Sequence, residues 1–231
     1  MSVQQPVPES LLTSLAFLGI DETATAEVLA VMVPVDLRRN QALFHQDEEG
    51  ASLYVVQTGM LKLSRRGGQA AAGIQALFGA GDVFGEMSLL GGGRRSGTVV
   101  AVTPSTVLEL PQPRFDEWLE ERPWMAGVLL RHLARRLRSS SEVISDLVFA
   151  DVTSRVAKVL VRLGERFGVV LGNGSVHVDH QLTQVELAQL VGAARESVNK
   201  ALASLTASGY IELRPKGVTI LKPQELEAFS R

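Results

Sequence analysis

The stretch WMAGVLLRHLARRLRSSSEVISDLVF, residues 124–149, divides the chain and sets its architecture. Steps of four and three place Ala126, Leu130, Leu133, Leu137, Ser140, Ile144 and Leu147 along one line of a helix, the seam of a coiled coil. The positions around that line include Arg131, Arg135, Arg136, Arg138, Glu142 and Asp146. So narrow a seam in so charged a surround predicts a helix that pairs with a copy of itself. Ser140, flanked by Ser139 and Ser141, interrupts the aliphatic line. A hydroxyl there weakens the pair unless something polar meets it. The interruption reads either as a solvated turn or as a gap that a ligand fills.

Composition suits a globular chain of two domains: 231 residues, 45% apolar and 21% charged. The absence of cysteine excludes disulfides, thiolate zinc sites, cysteine-held iron–sulfur clusters and cysteine nucleophiles. Residues 1–10 have neither a basic cluster nor an apolar run, and nothing approaches the roughly 18 apolar residues of a membrane span. The expectation is a cytoplasmic protein with no membrane partner. Residues 1–150 carry a net −4 and residues 151–231 a net +2. The C-terminal part is therefore the one expected to meet a polyanion. The expected organisation is three parts, residues 1–122, 123–150 and 151–231.

In the first part, apolar spacing from Leu11 to Val33 (Leu12, Leu15, Leu18, then Val28, Leu29, Met32) predicts two short helices interrupted near Gly19 to Glu22. Beyond Val35, short apolar runs at Ala42 to Phe44, Leu53 to Gln57, Met60 to Leu63, Gly73 to Phe78, Val99 to Thr103 and Thr106 to Leu110 alternate with glycine and acidic turns. That spacing predicts an antiparallel barrel or roll, closed by a helix from Pro113 to Glu121.

Within the roll runs GDVFGEMSLLGGGRRSGTV, residues 81–99. A helical turn opening at Gly85 aims free backbone N–H groups outward, and an arginine ten residues on can curl back to the same point, making an anion pocket. Glu86 would repel an anion there. It fits if it accepts from a sugar hydroxyl while an arginine offsets its charge. The residues Phe84, Gly85, Glu86, Leu89, Arg95, Ser96, Thr98 and Val99 resemble the phosphate-binding cassette of cyclic-nucleotide-binding domains. The resemblance implies that Arg95 and Ser96 hold a cyclic phosphate, that Gly85 supplies a backbone contact and that Glu86 takes the ribose 2′-hydroxyl, with Met87 and Ser88 beside them. On the seam helix, Arg-Arg-Leu-x-x-Ser-Ser at Arg135 to Ser141 resembles the segment of cyclic-AMP-responsive regulators whose adjacent hydroxyls reach the adenine, which implies cyclic AMP as allosteric ligand, with Ser140 and Ser141 on those positions, one for the base in its own subunit and one for that in the partner. Arg94 reads as a solvated neighbour.

In the last part, Asp151 is placed to cap a helix from Val152 to about Arg166, with Val156, Val159, Leu160 and Leu163 on one face. Gly164 to Gly174 reads as a loop and Val176 to Val178 as a strand. Thr183-Gln184-Val185-Glu186 is a capping box opening a helix through Leu190. A glycine turn at residues 191–194 leads into a second helix, Arg195 to Ser208, making a helix-turn-helix. Arg195 and Lys200 are suited to donate to guanine and Glu196 to accept from cytosine. By themselves those three residues also fit a surface helix with an i,i+4 ion pair between Glu196 and Lys200. Residues 210–221, turning at Arg214-Pro215-Lys216-Gly217, predict a wing hairpin whose basic tip meets phosphates.

This pattern, TQVELAQLVG followed by RESVNK, resembles the Crp-Fnr regulators, in which Arg-Glu-x-x-x-Arg reads the GTG of a TGTGA half-site. Lys200 stands where that pattern has its second arginine, and Ala194 stands where a capping serine is usual. The resemblance covers nearly the whole chain and implies an α+β fold: a cyclic-nucleotide-binding β-roll, a dimerising coiled-coil helix and a winged helix-turn-helix. It implies a homodimer on an inverted repeat resembling TGTGA and TCACA, double-stranded DNA and RNA polymerase as partners, and DNA contacts from Thr183, Arg195, Glu196, Asn199, Lys200 and Lys216. A same-fold regulator that is ligand-independent or answers another nucleotide is the alternative. A haem sensor would need axial ligands, and His45, His132, His177 and His180 form no ligand-like set. No nucleophile, base and metal set can be assembled, so neither catalysis nor a metal site is expected.

Overall fold

The computed structural model describes residues 22–67 and 73–230. The expected helix around Leu12, Leu15 and Leu18 lies outside them. The described residues form two compact units that divide between Arg138 and Ser139, inside one continuous helix, with Gly73–Gln75 grouped with the second.

The first unit opens with α1 (Glu22–Ala30). The apolar spacing had carried this helix to Val33. It stops earlier because Pro34 follows, disfavouring helical backbone at Val33, and Val33–Leu37 becomes β1. The roll then continues through β2 (Ala42–Phe44), β3 (Ser52–Thr58), β4 (Leu61–Arg65), β5 (Gly73–Phe78) and β6 (Val83–Phe84). After α2 (Glu86–Gly91) come β7 (Thr98–Ala101) and β8 (Ser105–Pro111). One sheet has the order β1-β8-β3-β6 and the other β2-β7-β4-β5. Pro34 is tolerated because β1 is an edge strand.

Period-two alternation gives β3 two apolar faces, both buried. Tyr54 and Val56 point into the roll against Leu61, Phe84, Val99, Ala101 and Val107. Leu53 and Val55 point the other way, where Val28, Met32, Leu89, Phe115, Trp118, Met125 and Val128 cover the sheet. Each such side chain contributes about 1.5–3 kcal/mol on burial. These contacts seat α1, α2, α3 (Gln112–Glu121) and the first turn of α4 (Trp124–Phe149) on the roll. The expected helix at Pro113 starts one residue earlier, with proline in the first turn where its missing N–H costs nothing.

In the second unit, Asp151 caps α5 (Val152–Phe167), its carboxylate accepting from the Ser154 N–H at 2.8 Å. Val156, Ala157, Leu160 and Leu163 form its buried face. The segment read as a loop from Gly164 is instead the last turn of α5 and then β9 (Gly168–Val170). Gly164 stays helical because packing, not propensity, decides there. A Cβ at that position would lie 2.9 Å from Ile220 Cδ1, so glycine lets the sheet close onto the helix.

That sheet, β11-β12-β10-β9, is antiparallel throughout. Its remaining strands are β10 (Val176–Val178), β11 (Ile211–Arg214) and β12 (Gly217–Ile220). Between β10 and β11 stand α6 (Gln184–Val191) and α7 (Arg195–Ala207), and α8 (Pro223–Phe229) ends the described chain.

Candidate functional site

A concavity in the roll is lined by Gly85, Met87, Ser88, Arg95 and Ser96, together with Phe44, Phe84 and Arg136. Five of the residues singled out in the sequence therefore share one wall. Gly85 holds the left-handed backbone (φ 89°) that starts α2. Arg95 is only 4% exposed. Its Nη1 donates to the Ser52 carbonyl at 2.9 Å, the Gly85 carbonyl at 3.2 Å and Ser88 Oγ at 2.9 Å. Its Nε is buried without a partner among the described residues. Burial pushes its pKa below the usual arginine value, and nearby Tyr54, Glu109 and Glu48 oppose that shift. A buried cation with a donor to spare is built to receive an anion.

Glu86 is wholly buried on α2. Its Oε1 accepts from Arg136 Nη1, and its Oε2 has no partner among the described residues. The sequence required a cation to offset Glu86, and the structure supplies it from α4, fifty residues downstream. In the sequence Arg136 stands among the charged residues beside the seam and in the Arg-Arg-Leu-x-x-Ser-Ser segment, with no site role of its own. His132, one turn earlier on the same helix, is half-buried with its Nε2 unpartnered among the described residues. Burial lowers its pKa, with Glu86 pulling the other way and Arg136 reinforcing the drop. Arg94 is exposed and donates to the Asp47 carbonyl at 2.8 Å. Ser140 and Ser141 are exposed residues of the second unit and are not among those lining the concavity.

The second unit carries the other candidate surface. Thr183 and Glu186 cap α6 reciprocally: Glu186 N donates to Thr183 Oγ1 at 3.2 Å and Thr183 N to Glu186 Oε2 at 2.7 Å. The Thr183 hydroxyl also donates to Glu186, so this predicted DNA contact is engaged locally. Gly192 ends α6 in the left-handed region (φ 70°), where an added Cβ would come 2.8 Å from Leu147 Cδ2. Glycine thus permits both the turn and the packing of the seam's last leucine beneath it.

Helix α7 begins at Arg195 with Ala194 in extended backbone and no side-chain cap. Val198, Ala201, Leu202 and Leu205 form its buried face, which leaves Arg195, Glu196 and Lys200 exposed. Glu196 and Lys200 form no ion pair with each other, so their charges are not consumed on the helix surface. Asn199 is half-buried with Oδ1 turned inward and unpartnered among the described residues. At the wing tip Lys216 adopts φ 58° between β11 and β12, following Pro215 as a type II turn requires of that position. Arg214 and Lys216 are both exposed at the tip, and Arg214 pairs with Glu212 at 2.9 Å.

The chain thus joins a β-roll, whose concavity has a buried arginine in its wall, to a winged helix-turn-helix. The model of the cyclic nucleotide-binding domain matches residues 34–122, and that of the Crp-like helix-turn-helix domain matches residues 154–229. A "CRP-like cAMP-activated global transcriptional regulator" of Mycobacterium tuberculosis is 38% identical over 215 residues, 93% of this chain and 96% of the relative. A "Cyclic AMP receptor protein" of Thermus thermophilus is 35% identical over 194 residues, 83% and 85% of the two chains. The solved structure of FixK2 from Bradyrhizobium japonicum shares the fold, with a TM-score of 0.77 over 87% of this chain and 98% of that one at 20% identity. The chain belongs to the CRP-like family: it is a DNA-binding transcription regulator with a cyclic-nucleotide-binding domain.

Among the described residues, no helix is long and apolar enough to cross a membrane, and no group of three or more His, Cys, Asp or Glu could hold a metal ion.

Proposed function

We propose that the chain is a cytoplasmic, cyclic-AMP-responsive regulator that acts as a homodimer on an inverted repeat resembling TGTGA and TCACA, through contact with RNA polymerase. The observation that carries the sensor half is the buried Arg95 guanidinium, with a donor unspent, in the wall of the roll's concavity. Arg95 and Ser96 take the cyclic phosphate, Gly85, Met87 and Ser88 line the same wall, and Glu86 meets the ribose. Ser140 and Ser141 sense the base. The name of the Mycobacterium tuberculosis relative favours cyclic AMP over other nucleotides.

For the dimer, the support is the seam. Leu130, Leu137 and Ile144 are 66%, 70% and 63% exposed, an apolar line that a second copy covers. In this reading residues 1–122 sense, 123–150 pair and 151–231 read DNA. Nucleotide shifts the population toward the form whose two α7 helices stand roughly 34 Å apart, one turn of DNA.

At the DNA, Arg195, Glu196 and Lys200 face base edges, Asn199 lies between them with its Oδ1 turned inward, and Lys216 meets a phosphate. Glu196→Ala should relax base preference at one position of the half-site by about 1–3 kcal/mol in a competition assay across substituted sites. A uniform loss on every site would assign Glu196 a structural role instead.

Calorimetry of the full chain with cyclic AMP, cyclic GMP and cyclic di-GMP tests the ligand. Saturable heat with cyclic AMP, at lower concentration than with the other two, is the expected result. Preference for another nucleotide, or no heat with any of them, would overturn the cyclic AMP assignment.

A further inference from the structure

The Arg95 guanidinium is held by more than its hydrogen bonds. Its Cζ lies 4.3 Å from the centroid of the Phe44 ring and 5.3 Å from that of Tyr54. The two rings are themselves 5.8 Å apart and tilted by 34°, so they form a two-sided cradle, not a parallel sandwich. Both distances fall inside the reach of cation–π attraction, which strengthens when the cation is desolvated, as this one is.

Each ring has its own reason to be there. Phe44 sits where the pairing of β2 with β7 slips, between Ala42 opposite Val100 and Phe44 opposite Val99. A bulge of that kind re-aims a side chain. Tyr54 is fixed from both ends: its hydroxyl donates to Glu109 Oε1 at 3.1 Å, and its ring stacks on Phe84 at 5.4 Å, which stacks on Phe78 at 4.6 Å.

We propose that Phe44 and Tyr54 are positioning residues for the anion site: their ring faces fix the plane of the Arg95 guanidinium while Nη1 is pinned to the roll, reserving the remaining N–H donors for a nucleotide phosphate. This rests on the assignment of Arg95 to that phosphate. Three acceptors on Nη1 set one edge of the guanidinium but leave it free to pivot, and a flat cation stacks well on aromatic faces. Without the rings, the unpaired Nε has no fixed direction, and the arginine must be ordered anew each time an anion arrives.

The test compares Phe44→Leu with Phe44→Tyr in the full chain, titrated calorimetrically with cyclic AMP and, by competition, with adenosine, which lacks the phosphate. Position 44 is only half-buried, so leucine is accommodated there. Phe44→Leu should weaken cyclic AMP about 3- to 30-fold and leave adenosine unchanged, while Phe44→Tyr, which keeps a ring face, should bind cyclic AMP nearly as the parent does. Equal losses for both ligands, or no loss with leucine, would overturn the cradle. Arg95→Ala separates the two ideas: parental cyclic AMP affinity there would sink the phosphate assignment itself, whereas its loss beside an unaffected Phe44→Leu would remove only the cradle.

Discussion

Replacing Arg95 with alanine should abolish nucleotide binding while the chain remains folded. The side chain is buried, and its Nε is unspent among the described residues. Truncating one side of a buried, hydrogen-bonded charge contact costs about 2–5 kcal/mol, or roughly 30-fold to several thousand-fold in affinity. The fold loses much less. Ser52 and Gly85 each lose one donor to a carbonyl, worth about 1 kcal/mol apiece, and water entering the concavity can replace it. Arg95→Lys should fall between, because an ammonium keeps the charge without the planar set of donors. Calorimetry and a thermal melt on the same preparations check both halves. Undiminished affinity in the alanine variant would refute the pocket assignment.

The second large effect concerns stability. Arg136→Ala should destabilise the first unit by about 2–4 kcal/mol, because it leaves the fully buried Glu86 carboxylate without the cation that bonds it. The lower end reflects the 31% exposure of the Arg136 side chain, which already gives part of the pair to solvent. Glu86→Gln in the Arg136→Ala background should restore most of the loss, since an uncharged amide is far cheaper to bury than a lone carboxylate. Denaturant titration of the parent, the two single variants and the double variant measures this as a coupling energy. Additive losses would mean that the pair contributes nothing beyond its separate members.

What the sequence made legible was chiefly local. The Thr183–Glu186 capping box, the Asp151 cap and the glycine turn at Gly192 are each closed within a few residues, so the pattern and the structure coincide. The wall of the concavity was legible because residues 85–96 approach one another through a single short helix and turn. Misreadings arose where distant packing overrules local preference. Val33 continued the helical spacing but joins β8 across the sheet, and Gly164 looked like a breaker until Ile220 is placed against it. Arg136 and Phe44 were missed as site residues for the same reason. Heptad spacing lists Arg136 among outward charges, and an aromatic in a short strand looks like ordinary core. The signal that pointed toward Arg136 was the buried carboxylate at position 86, which demanded a cation from somewhere.

In the proposed function, nucleotide in the roll governs DNA reading by α7. Fluorescence anisotropy with a labelled duplex carrying the TGTGA and TCACA inverted repeat, at fixed salt, with and without saturating cyclic AMP, tests it most directly. Coupling of the usual size, about 1–3 kcal/mol, predicts DNA binding 5–150-fold tighter with the nucleotide. Identical affinity in its presence and absence would contradict the account.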